Sequence, residues 1–400
     1  MDQLIAFHTN NLARVPGGFF RELFQSINWN QRMLAIKGPR GAGKTTLMLQ
    51  RIKFGLQAKP PEALYITADH HWFYSSTLYE TAEVFYVNGG KYLFIDEVHK
   101  YPNWSRELKN IYDGFPELSI VFSASSALDI YKGEADLSRR VLTYELPGLS
   151  FREYIELKEN VRMDSVSLDA IQKDHEKLAA QIVSDLKMKP IPLFREYLQY
   201  GYLPIIAESL PEEIPLRLNA VINAVVESDL SYIKNYHSGT AHKIKKLLGV
   251  IAESAPFKPN VSALARKLGV SRESVYQWLQ DLDHARLLNS LSQAGKGTST
   301  LQKPDKIYLE NTNLSYALNP QPDTGSIREA FLLNQLINAG YEVTLPKAGD
   351  FYVDGITIEA GGKSKTSEQV QHTKNYIIAA DNIEFGFGKK VPLWLFGFLY

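Results

Sequence analysis

Short apolar runs alternate with amphipathic stretches between residues 33 and 146. Each run is four or five residues long and rich in β-branched, aromatic or other apolar side chains, as expected for strands that are buried on both faces. The runs are MLAIK, ALYIT, YLFI, SIVFS and TYEL, at residues 33–37, 63–67, 92–95, 119–123 and 143–146. Because helical patterns separate the runs, the sequence predicts an α/β domain with a mostly parallel sheet over residues 1–150.

The pattern changes after this first domain. Apolar residues recur at three- and four-residue spacing over residues 151–240, which predicts a helical connector. Residues 241–318 have the pattern of a helix, a helix-turn-helix and a hairpin, which is typical of a winged helix. After a break that contains proline and glycine, residues 319–400 are predicted to form a small α/β domain.

Composition narrows the functional classes. Lys plus Arg and Asp plus Glu number 44 each in the 400 residues, so the net charge gives no long-range attraction for nucleic acid, and any such binding needs a local patch. Cysteine is absent, which excludes disulfides, thiolate metal sites and cysteine nucleophiles. The sequence shows neither a run of about 18 apolar residues nor a secretion signal. We therefore expect a cytoplasmic location without membrane contact.

A phosphate-binding loop is predicted at residues 38–45, which read GPRGAGKT between a predicted strand and a predicted helix. Its glycines let backbone N–H groups point at phosphate oxygens in front of the helix N-terminus. Lys44 would reach the β- and γ-phosphates of ATP, and Thr45 would ligate magnesium. The alternative is a glycine-rich turn that binds nothing. The predicted nucleotide contacts are Gly38, Pro39, Arg40, Gly41, Ala42, Gly43, Lys44, Thr45 and Thr46.

Two carboxylates follow the third apolar run. Asp96 and Glu97 would lie at the carboxyl end of a buried strand, beside the phosphate-binding loop. Asp96 is predicted to hold the magnesium shell, and Glu97 to orient or deprotonate the attacking water. The alternative is a pair of surface acids.

Two further catalytic residues are candidates. The fourth run ends in a serine-rich turn where Ser125, in preference to Ser126, could sense the γ-phosphate. Arg139 and Arg140 precede the fifth run, and one of them could be an arginine finger, which contributes about 10³ to 10⁵ in turnover where it operates. An ordinary serine turn and a surface ion pair remain the alternatives.

Several longer strings surround these motifs. They are GPRGAGKTTL, LFIDEVHKYPNWSRELKNIYD, SSALDI, LSRRVLTYELPGLSFREY and YLQYGYLP, at residues 38–47, 93–113, 125–130, 137–154 and 197–204. In these strings the chain resembles prokaryotic AAA-type (AAA+ superfamily) P-loop ATPases that carry a winged helix and a C-terminal restriction-endonuclease-like domain of unknown function. The resemblance implies that the P-loop strand lies between the fourth and fifth strands. It also implies that Arg140 contacts a neighbour's nucleotide in a homo-oligomer, although Arg139 replaces the family's glycine.

The winged helix is a candidate DNA-binding module. Ser262 and Ser271 are predicted to cap its two helices, with Gly269 in the turn between them. Residues 241–303 contain ten Lys or Arg and four Asp or Glu, so 10 − 4 gives a local net charge of +6. The predicted contacts with double-stranded DNA are Arg272, Ser274, Tyr276 and Gln277 on the second helix and Lys296 in a wing over residues 293–303. The alternative is a module that binds only a protein partner.

The last domain carries the acids Glu329, Asp350 and Glu359 in strings that resemble the restriction-endonuclease-like scaffold. That scaffold places a lysine two residues after the last acid, but position 361 is glycine, and Lys363 lies one strand alternation further on. We therefore expect this domain to be inactive as a nuclease.

Two functions of different class are compatible with the sequence. In the first, the chain hydrolyses ATP with magnesium and couples its nucleotide state to a winged helix that contacts DNA or a protein. In the second, it is a DNA- or protein-binding regulator that holds ATP as a ligand with little turnover. Glu97 favours hydrolysis, since a site that only binds ATP needs no base there.

Overall fold

The computed structural model describes residues 1–56, 62–124, 137, 139–254, 256–293 and 304–400. The chain divides into two compact units, Met1–Gly148 and Leu149–Tyr400. In the part of the chain that the structure describes, no helix is long and apolar enough to cross a membrane.

The first unit alternates strands with helices. Its strands are β1 (Met33–Lys37), β2 (Ala63–Thr67), β3 (Tyr92–Asp96), β4 (Ser119–Ala124) and β5 (Leu142–Glu145). Its α-helices are α1 (Asp2–Ala13), α2 (Leu23–Ser26), α3 (Lys44–Gln50), α4 (Leu78–Val87) and α5 (Trp104–Gly114). A π-helical turn (Arg51–Gly55) continues α3, and 3-10 turns lie at His71–Tyr74 and Val98–Lys100.

Among the described residues the strands of this unit form one parallel sheet in the order β2-β3-β4-β1-β5. The predicted α/β class and the five predicted strands are therefore confirmed. The strand that leads into the phosphate-binding loop, β1, pairs with β4 on one side and β5 on the other, as the family resemblance implies. Because all strands are parallel, their carboxyl ends meet at one edge of the sheet.

Strands β1 to β4 are largely buried on both faces, which explains their apolar sequences. Strand β5, at the edge of the sheet, is half-buried or exposed throughout. Met33 and Ala35 pack into one apolar cluster, whereas Leu34 and Ile36 pack into another. The alternation follows from the two-residue period of a strand, which sends successive side chains to opposite faces. Helices therefore cover the sheet on both sides, and only its edges are open to carry polar groups.

The second unit begins with helices and ends with a sheet. Its α-helices are α6 (Phe151–Glu159), α7 (Leu168–Asp185), α8 (Pro190–Glu196), α9 (Ile214–Asn223), α10 (Ser231–Lys234), α11 (Ser238–Ser254), α12 (Val261–Leu268), α13 (Arg272–His284), α14 (Thr312–Leu318) and α15 (Thr324–Asn338). Its π-helical turns are Tyr197–Gly201 and Ala224–Leu230, and its 3-10 turns are Pro204–Glu208, Pro211–Glu213 and Leu393–Phe398. Its strands are β6 (Leu288–Leu291), β7 (Lys306–Leu309), β8 (Phe351–Val353), β9 (Ile356–Gly361), β10 (Tyr376–Ala380) and β11 (Lys390–Pro392).

The described strands of this unit form two sheets. β6 and β7 are an antiparallel hairpin, and the other sheet has the order β11-β10-β9-β8. In the larger sheet β8 is antiparallel to β9, and the remaining pairs are parallel. Helix α15 packs against this sheet through β9.

The second unit groups its residues differently from the division made on the sequence. Helices α6, α7 and α8, which belong to the predicted connector, share one apolar core with α15 and the C-terminal sheet. Aromatic contacts join them, with ring centroids 4.7 Å apart for Phe194 and Phe331 and 6.0 Å apart for Phe151 and Phe398. Helical periodicity indicates which face of a helix is buried, but it does not identify the partner on which that face packs.

The predicted helix-turn-helix is present, but the N-cap residue of its first helix differs from the prediction. Helix α12 is capped by Asn260, whose side-chain oxygen accepts from Ala263 N at 3.1 Å, so the predicted cap at Ser262 is wrong. Gly269 ends that helix in the left-handed conformation, at φ 62°, and Ser271 caps α13 as expected. Of the predicted wing, residues 294–303, including Lys296, lie outside the described residues.

Candidate nucleotide-binding site

The loop between β1 and α3 has a backbone that only glycine adopts without strain. Gly38, Gly41 and Gly43 have φ values of 152°, 86° and 94°, in the region that side chains with a Cβ disfavour. A Cβ at Gly38 would lie 2.1 Å from the carbonyl oxygen of Leu146 in the segment that follows β5. Glycine is therefore required both by the turn and by the close approach of the neighbouring chain.

Lys44 begins α3 and is 7% exposed. Its ammonium group donates to the carbonyl oxygens of Gly38 at 2.9 Å and Pro39 at 3.0 Å. A buried ammonium needs such partners, since its charge is costly away from water. These contacts hold the positive charge inside the loop where the phosphates of a nucleotide would lie.

Residues that the sequence-based prediction missed support the loop from behind. The guanidinium of Arg21 donates to Ala42 O at 2.7 Å and to Pro147 O and Gly148 O at 2.8 Å each. Arg21 is 5% exposed, so this side chain joins the P-loop to the chain after β5 inside the fold. Planar guanidinium groups suit this task because they present several donors in a fixed arrangement.

Asp96 lies at the centre of the site and is 4% exposed. One of its oxygens, Oδ2, accepts from the hydroxyls of Thr45 at 2.5 Å and Tyr65 at 2.9 Å. The other, Oδ1, accepts from the hydroxyl of Ser123 and from the backbone N–H of Glu97, the latter at 3.1 Å. These donors come from β2, β4, α3 and the turn after β3, so the carboxylate fixes their positions relative to one another.

The residues at this position fit a magnesium ion. Thr45 and Asp96 present the oxygen ligands that magnesium prefers, and such ions are usually held by one or two carboxylates together with substrate phosphates. No cluster of three or more His, Cys, Asp or Glu side chains with metal-ligand geometry occurs among the described residues. Thr45 and Asp96 would leave the other positions around such an ion to further ligands.

Glu97 follows Asp96 in an unusual conformation. Its φ is 50°, in the left-handed region that a side chain with a Cβ rarely adopts. Its carboxylate forms an ion pair with Lys100. Burial opposes the charged form, but the nearby positive groups, with Lys100 foremost, hold the pKa of Glu97 below its ordinary value. Glu97 is therefore a carboxylate at neutral pH.

His99 lies in the same turn and is 4% exposed. Burial, with a smaller contribution from Lys100, Lys44 and Arg40, lowers the pKa of His99 to about 4. Its imidazole is therefore neutral at physiological pH and adds no charge to the loop.

Arg140 lies away from the P-loop of its own chain. It precedes β5, whose carboxyl end at Glu145 pairs with Lys37 beside the loop. At about 3.3 Å per residue, Arg140 is roughly 15 Å from that edge. Its guanidinium makes two bonds to the carboxylate of Asp113, at 2.9 and 3.0 Å. This ion pair holds the guanidinium beyond the end of β5 that is opposite the loop.

The remaining candidates from the sequence are the proposed phosphate sensor Ser125 and the proposed DNA contacts on α13. Ser125 lies outside the described residues, whereas Ser123, two residues earlier, contacts Asp96 directly. On helix α13, Arg272 and Gln277 are exposed and Tyr276 is half-buried, while Gln277 donates to Asp281 at 2.9 Å. Ser274 is half-buried and its backbone N–H is bound by the capping Ser271.

The three acids of the predicted endonuclease-like domain, on α15, before β8 and in β9, are engaged by protein donors. Glu329 accepts from Lys306 at 2.9 Å and from Tyr308 at 2.6 Å. Burial, together with the charges of Glu329 and Glu359, raises the pKa of Asp350 to about 7. One oxygen of Asp350 accepts from the backbone N–H of Ala360 at 2.9 Å.

Lys365, which the sequence-based prediction did not consider, forms an ion pair with Glu359. Its Cγ lies 2.5 Å from where a Cβ on Gly361 would be, so its stem fills the space above that glycine. Lys363, the expected substitute, has a backbone carbonyl that accepts from Lys390 at 3.1 Å. The likeness to an endonuclease and the lack of cleavage both stay predictions.

Residues 30–155 match a family model described as an AAA domain. This match covers most of the first unit and supports an AAA-type P-loop fold for it. A second model, described as a domain of unknown function, matches residues 191–324, from α8 to the start of α15.

Similar proteins extend over most of the chain. The uncharacterized protein MJ1637 of Methanocaldococcus jannaschii is 26% identical over 395 residues, covering 91% of this chain and 82% of its own length. The uncharacterized protein MJ1544 of the same organism is 21% identical over 324 residues, covering 78% of this chain and 67% of its own. Among solved structures, a Walker-type ATPase of Pyrococcus abyssi aligns with a TM-score of 0.43 and 9% identity, covering 75% of this chain and 95% of that one.

The contact between Ser123 and Asp96 leads to a test. Ser123→Ala removes a buried donor, so we expect a loss of about 1–3 kcal/mol in the free energy of unfolding. Groups that orient a metal ligand typically contribute about 10- to 100-fold to metal affinity or activity. The magnesium concentration that gives half-maximal ATP turnover should therefore rise by about 10-fold or more, as measured by phosphate release. Ser119→Ala, at the other end of β4, is the control and should leave that concentration unchanged.

Proposed function

We propose that this chain hydrolyses ATP with magnesium and that the nucleotide state of its AAA-type domain controls a winged helix that contacts DNA or a protein partner. One observation carries the first part of the proposal. Asp96 accepts from Thr45 of the P-loop and from Ser123 of β4, while Glu97 follows it at the same edge of the sheet. A loop for phosphates, a site for magnesium and a carboxylate base are thereby brought together.

Each residue has a distinct task in hydrolysis. Backbone N–H groups of the P-loop would hold the phosphates, and the ammonium of Lys44 would move from its two carbonyl partners to the β- and γ-phosphates. Thr45 and Asp96 would hold a magnesium ion, which neutralises charge that develops on the phosphates. Glu97 would orient the attacking water and accept its proton.

The alternative is a regulator that binds ATP and scarcely hydrolyses it. The position of Glu97 favours hydrolysis, because its backbone is held in a conformation that is costly for a residue with a Cβ. A site that only binds nucleotide gains nothing from a strained glutamate next to the magnesium ligand. Rates of phosphate release, with and without DNA, distinguish the two functions.

Contact with DNA is proposed for helix α13 and the wing. Arg272 is exposed at the start of α13, where a side chain can reach phosphates or base edges. The net charge of +6 over residues 241–303 supplies a local basic patch. A protein partner is the second candidate, since the same surface could pair with acidic residues.

Assembly into a homo-oligomer would give Arg140 a catalytic task. Because Arg140 precedes the end of β5 that is opposite the loop, a contact with the nucleotide of a neighbouring copy is the role we propose for it. The ion pair with Asp113 would then have to open when the copies assemble.

Substitution of Lys44 should impair ATP binding, whereas substitution of Glu97 should impair turnover. We expect Lys44→Ala to weaken ATP binding by about 10- to 100-fold, because it removes a charged partner of the phosphates. Glu97→Gln should bind ATP normally and lower kcat by about 10²- to 10⁴-fold, because the amide cannot accept a proton. Equilibrium binding of a fluorescent ATP analogue and steady-state phosphate release measure the two effects separately.

The control for both changes is Lys91→Ala, which breaks an ion pair with Glu62 at the opposite edge of the same sheet. It should leave binding and turnover unchanged. Equal turnover by Glu97→Gln and the parent chain would show that Glu97 is not the base.

We expect Arg140→Ala to lower turnover by up to about 10³-fold if the arginine stabilises the transition state in a neighbour. ATP binding should change little. Asp113→Asn is the matched variant, because it breaks the same ion pair and keeps the arginine. We expect Asp113→Asn to stay active and the activity per chain of the parent to rise with protein concentration. A monomer in sedimentation with ATP, with a rate per chain independent of concentration, would contradict the role in trans.

Binding to duplex DNA should depend on the winged helix and weaken with salt, because neutralised phosphates release counterions. Arg272→Ala with Lys296→Ala should weaken binding and lower the salt slope by about one unit for each phosphate that is no longer neutralised. ATP turnover without DNA should be unaffected. Lys173→Ala on α7, 66% exposed, is the control. If no duplex shows salt-sensitive binding at micromolar protein, the winged helix is a protein-binding module instead.

A further inference from the structure

The ammonium of Lys100 lies between two carboxylates at the carboxyl edge of the first sheet. It forms an ion pair with Glu97 and donates to Asp69 at 3.2 Å. We propose that Lys100, held by Asp69, is a positioning residue that fixes the side chain of Glu97 for proton transfer from the attacking water. This inference rests on the proposed hydrolysis of ATP, and it adds two residues that neither the P-loop motif nor the strand ends had indicated.

The backbone of Glu97 is already fixed before its side chain is considered. Its N–H donates to Asp96 Oδ1 and to the hydroxyl of Ser123, at 3.1 Å each. These bonds hold the residue in the left-handed conformation at φ 50°. The Cα–Cβ bond of Glu97 therefore has one direction, but the rest of the side chain keeps its own torsional freedom.

The turn after Glu97 places Lys100 directly beside it. Residues Val98–Lys100 form a 3-10 turn with Glu97 as its N-cap. Lys100 lies three residues after Glu97, at the end of this turn, and its ammonium forms an ion pair with the Glu97 carboxylate. The short separation along the chain thus keeps the two charges close to each other.

Asp69 fixes the ammonium from the neighbouring strand. It follows β2, whose last residue, Thr67, pairs with Asp96 at the end of β3. The other oxygen of Asp69 accepts from the hydroxyl of Thr67 at 2.6 Å, which orients the carboxylate. Lys100 therefore links the ends of two adjacent strands, and its position depends on the sheet.

This arrangement differs from a surface ion pair in the same domain. The side chains of Lys100 and Glu97 are 26% and 23% exposed, whereas Lys91 in its pair with Glu62 is 59% exposed. Exposed pairs are mobile and screened by water. Lys100 is half-buried and has two carboxylate partners, of which Glu97 is half-buried and Asp69 is 45% exposed. The oxygen of Glu97 that pairs with Lys100 is Oε2.

The other groups around Glu97 cannot replace Lys100. His99 is neutral, and Arg40 lies on the P-loop, where it is a predicted contact of the nucleotide. Removal of the ammonium would leave two carboxylates, Glu97 and Asp69, near each other with no cation between them. Their repulsion would turn the side chain of Glu97 away from its position, and a displacement of about 1 Å can cost about 10²-fold in rate.

The test measures kcat and KM for ATP with Lys100→Met, Lys100→Arg, Asp69→Asn and the parent chain. We expect Lys100→Met to lower kcat by about 10- to 100-fold with KM and nucleotide affinity unchanged within about 2-fold. Lys100→Arg should restore a large part of kcat, because it keeps the charge between the two carboxylates. Asp69→Asn should give a smaller loss in the same direction. Lys91→Met, which removes the surface pair, is the control and should behave as the parent.

Three outcomes would overturn the inference. A kcat for Lys100→Met equal to that of the parent would make the ion pair irrelevant to hydrolysis. An increased kcat would show that Lys100 restrains Glu97, and a failure of Lys100→Arg to restore activity would exclude a role through charge. If the parent hydrolyses ATP and Glu97→Gln does not, the proposed function stands whatever Lys100 does. If the parent shows no hydrolysis, it is the proposed function that fails.

Discussion

The buried carboxylate of Asp96 is the interaction on which the nucleotide site depends. A carboxylate that is 4% exposed is stable only when its oxygens accept several hydrogen bonds. Asp96 obtains them from Thr45, Tyr65, Ser123 and the backbone of Glu97, which lie on different elements. The need to satisfy one buried charge therefore sets the relative positions of the P-loop, three neighbouring strands and the proposed base.

Unusual backbone conformations cluster at the carboxyl ends of the strands, where the proposed catalytic residues lie. Glu97 adopts a left-handed backbone, and the P-loop uses glycines with positive φ to approach Leu146 closely. Such strain persists only where surrounding contacts determine the conformation, and it is common at functional sites. Here Arg21 supplies those contacts behind the loop, and Asp96 and Ser123 supply them at Glu97. A rigid support of this kind agrees with a site where small displacements matter.

The second unit is organised around a different constraint. Its first helices bury their aromatic side chains in one core together with α15 and the C-terminal sheet. Polar contacts reinforce this core, since the buried amide of Asn313 donates to Tyr197 O and Leu198 O and accepts from Tyr202 N. The predicted connector is thus part of a folded body that includes the C-terminal domain. Within this body, the acids of the C-terminal sheet are held by Lys306, Tyr308 and Lys365.

The sequence by itself determined the features that depend on near neighbours along the chain. Five strands follow from apolar runs, the helix caps at Ser271 and Gly269 follow from local hydrogen bonding and positive φ, and the P-loop follows from its glycines and Lys44. Parallel strands end at one edge of the sheet, so the sequence also placed Asp96 and Glu97 beside that loop. These inferences need only the periods of helix and strand and the chemistry of a few side chains.

Only the tertiary structure decided which distant residues complete the site. Ser123, Tyr65, Arg21 and Asp69 carry no motif, because common polar residues acquire a role only when folding brings them to a buried charge. Lys365 fills the space above Gly361 from four residues further along, through a turn that a regular strand would not contain. The sequence likewise did not show which element each amphipathic helix of the second unit packs against. Periodicity fixes which face of an element is buried, whereas the contact on that face depends on the packing of the whole chain.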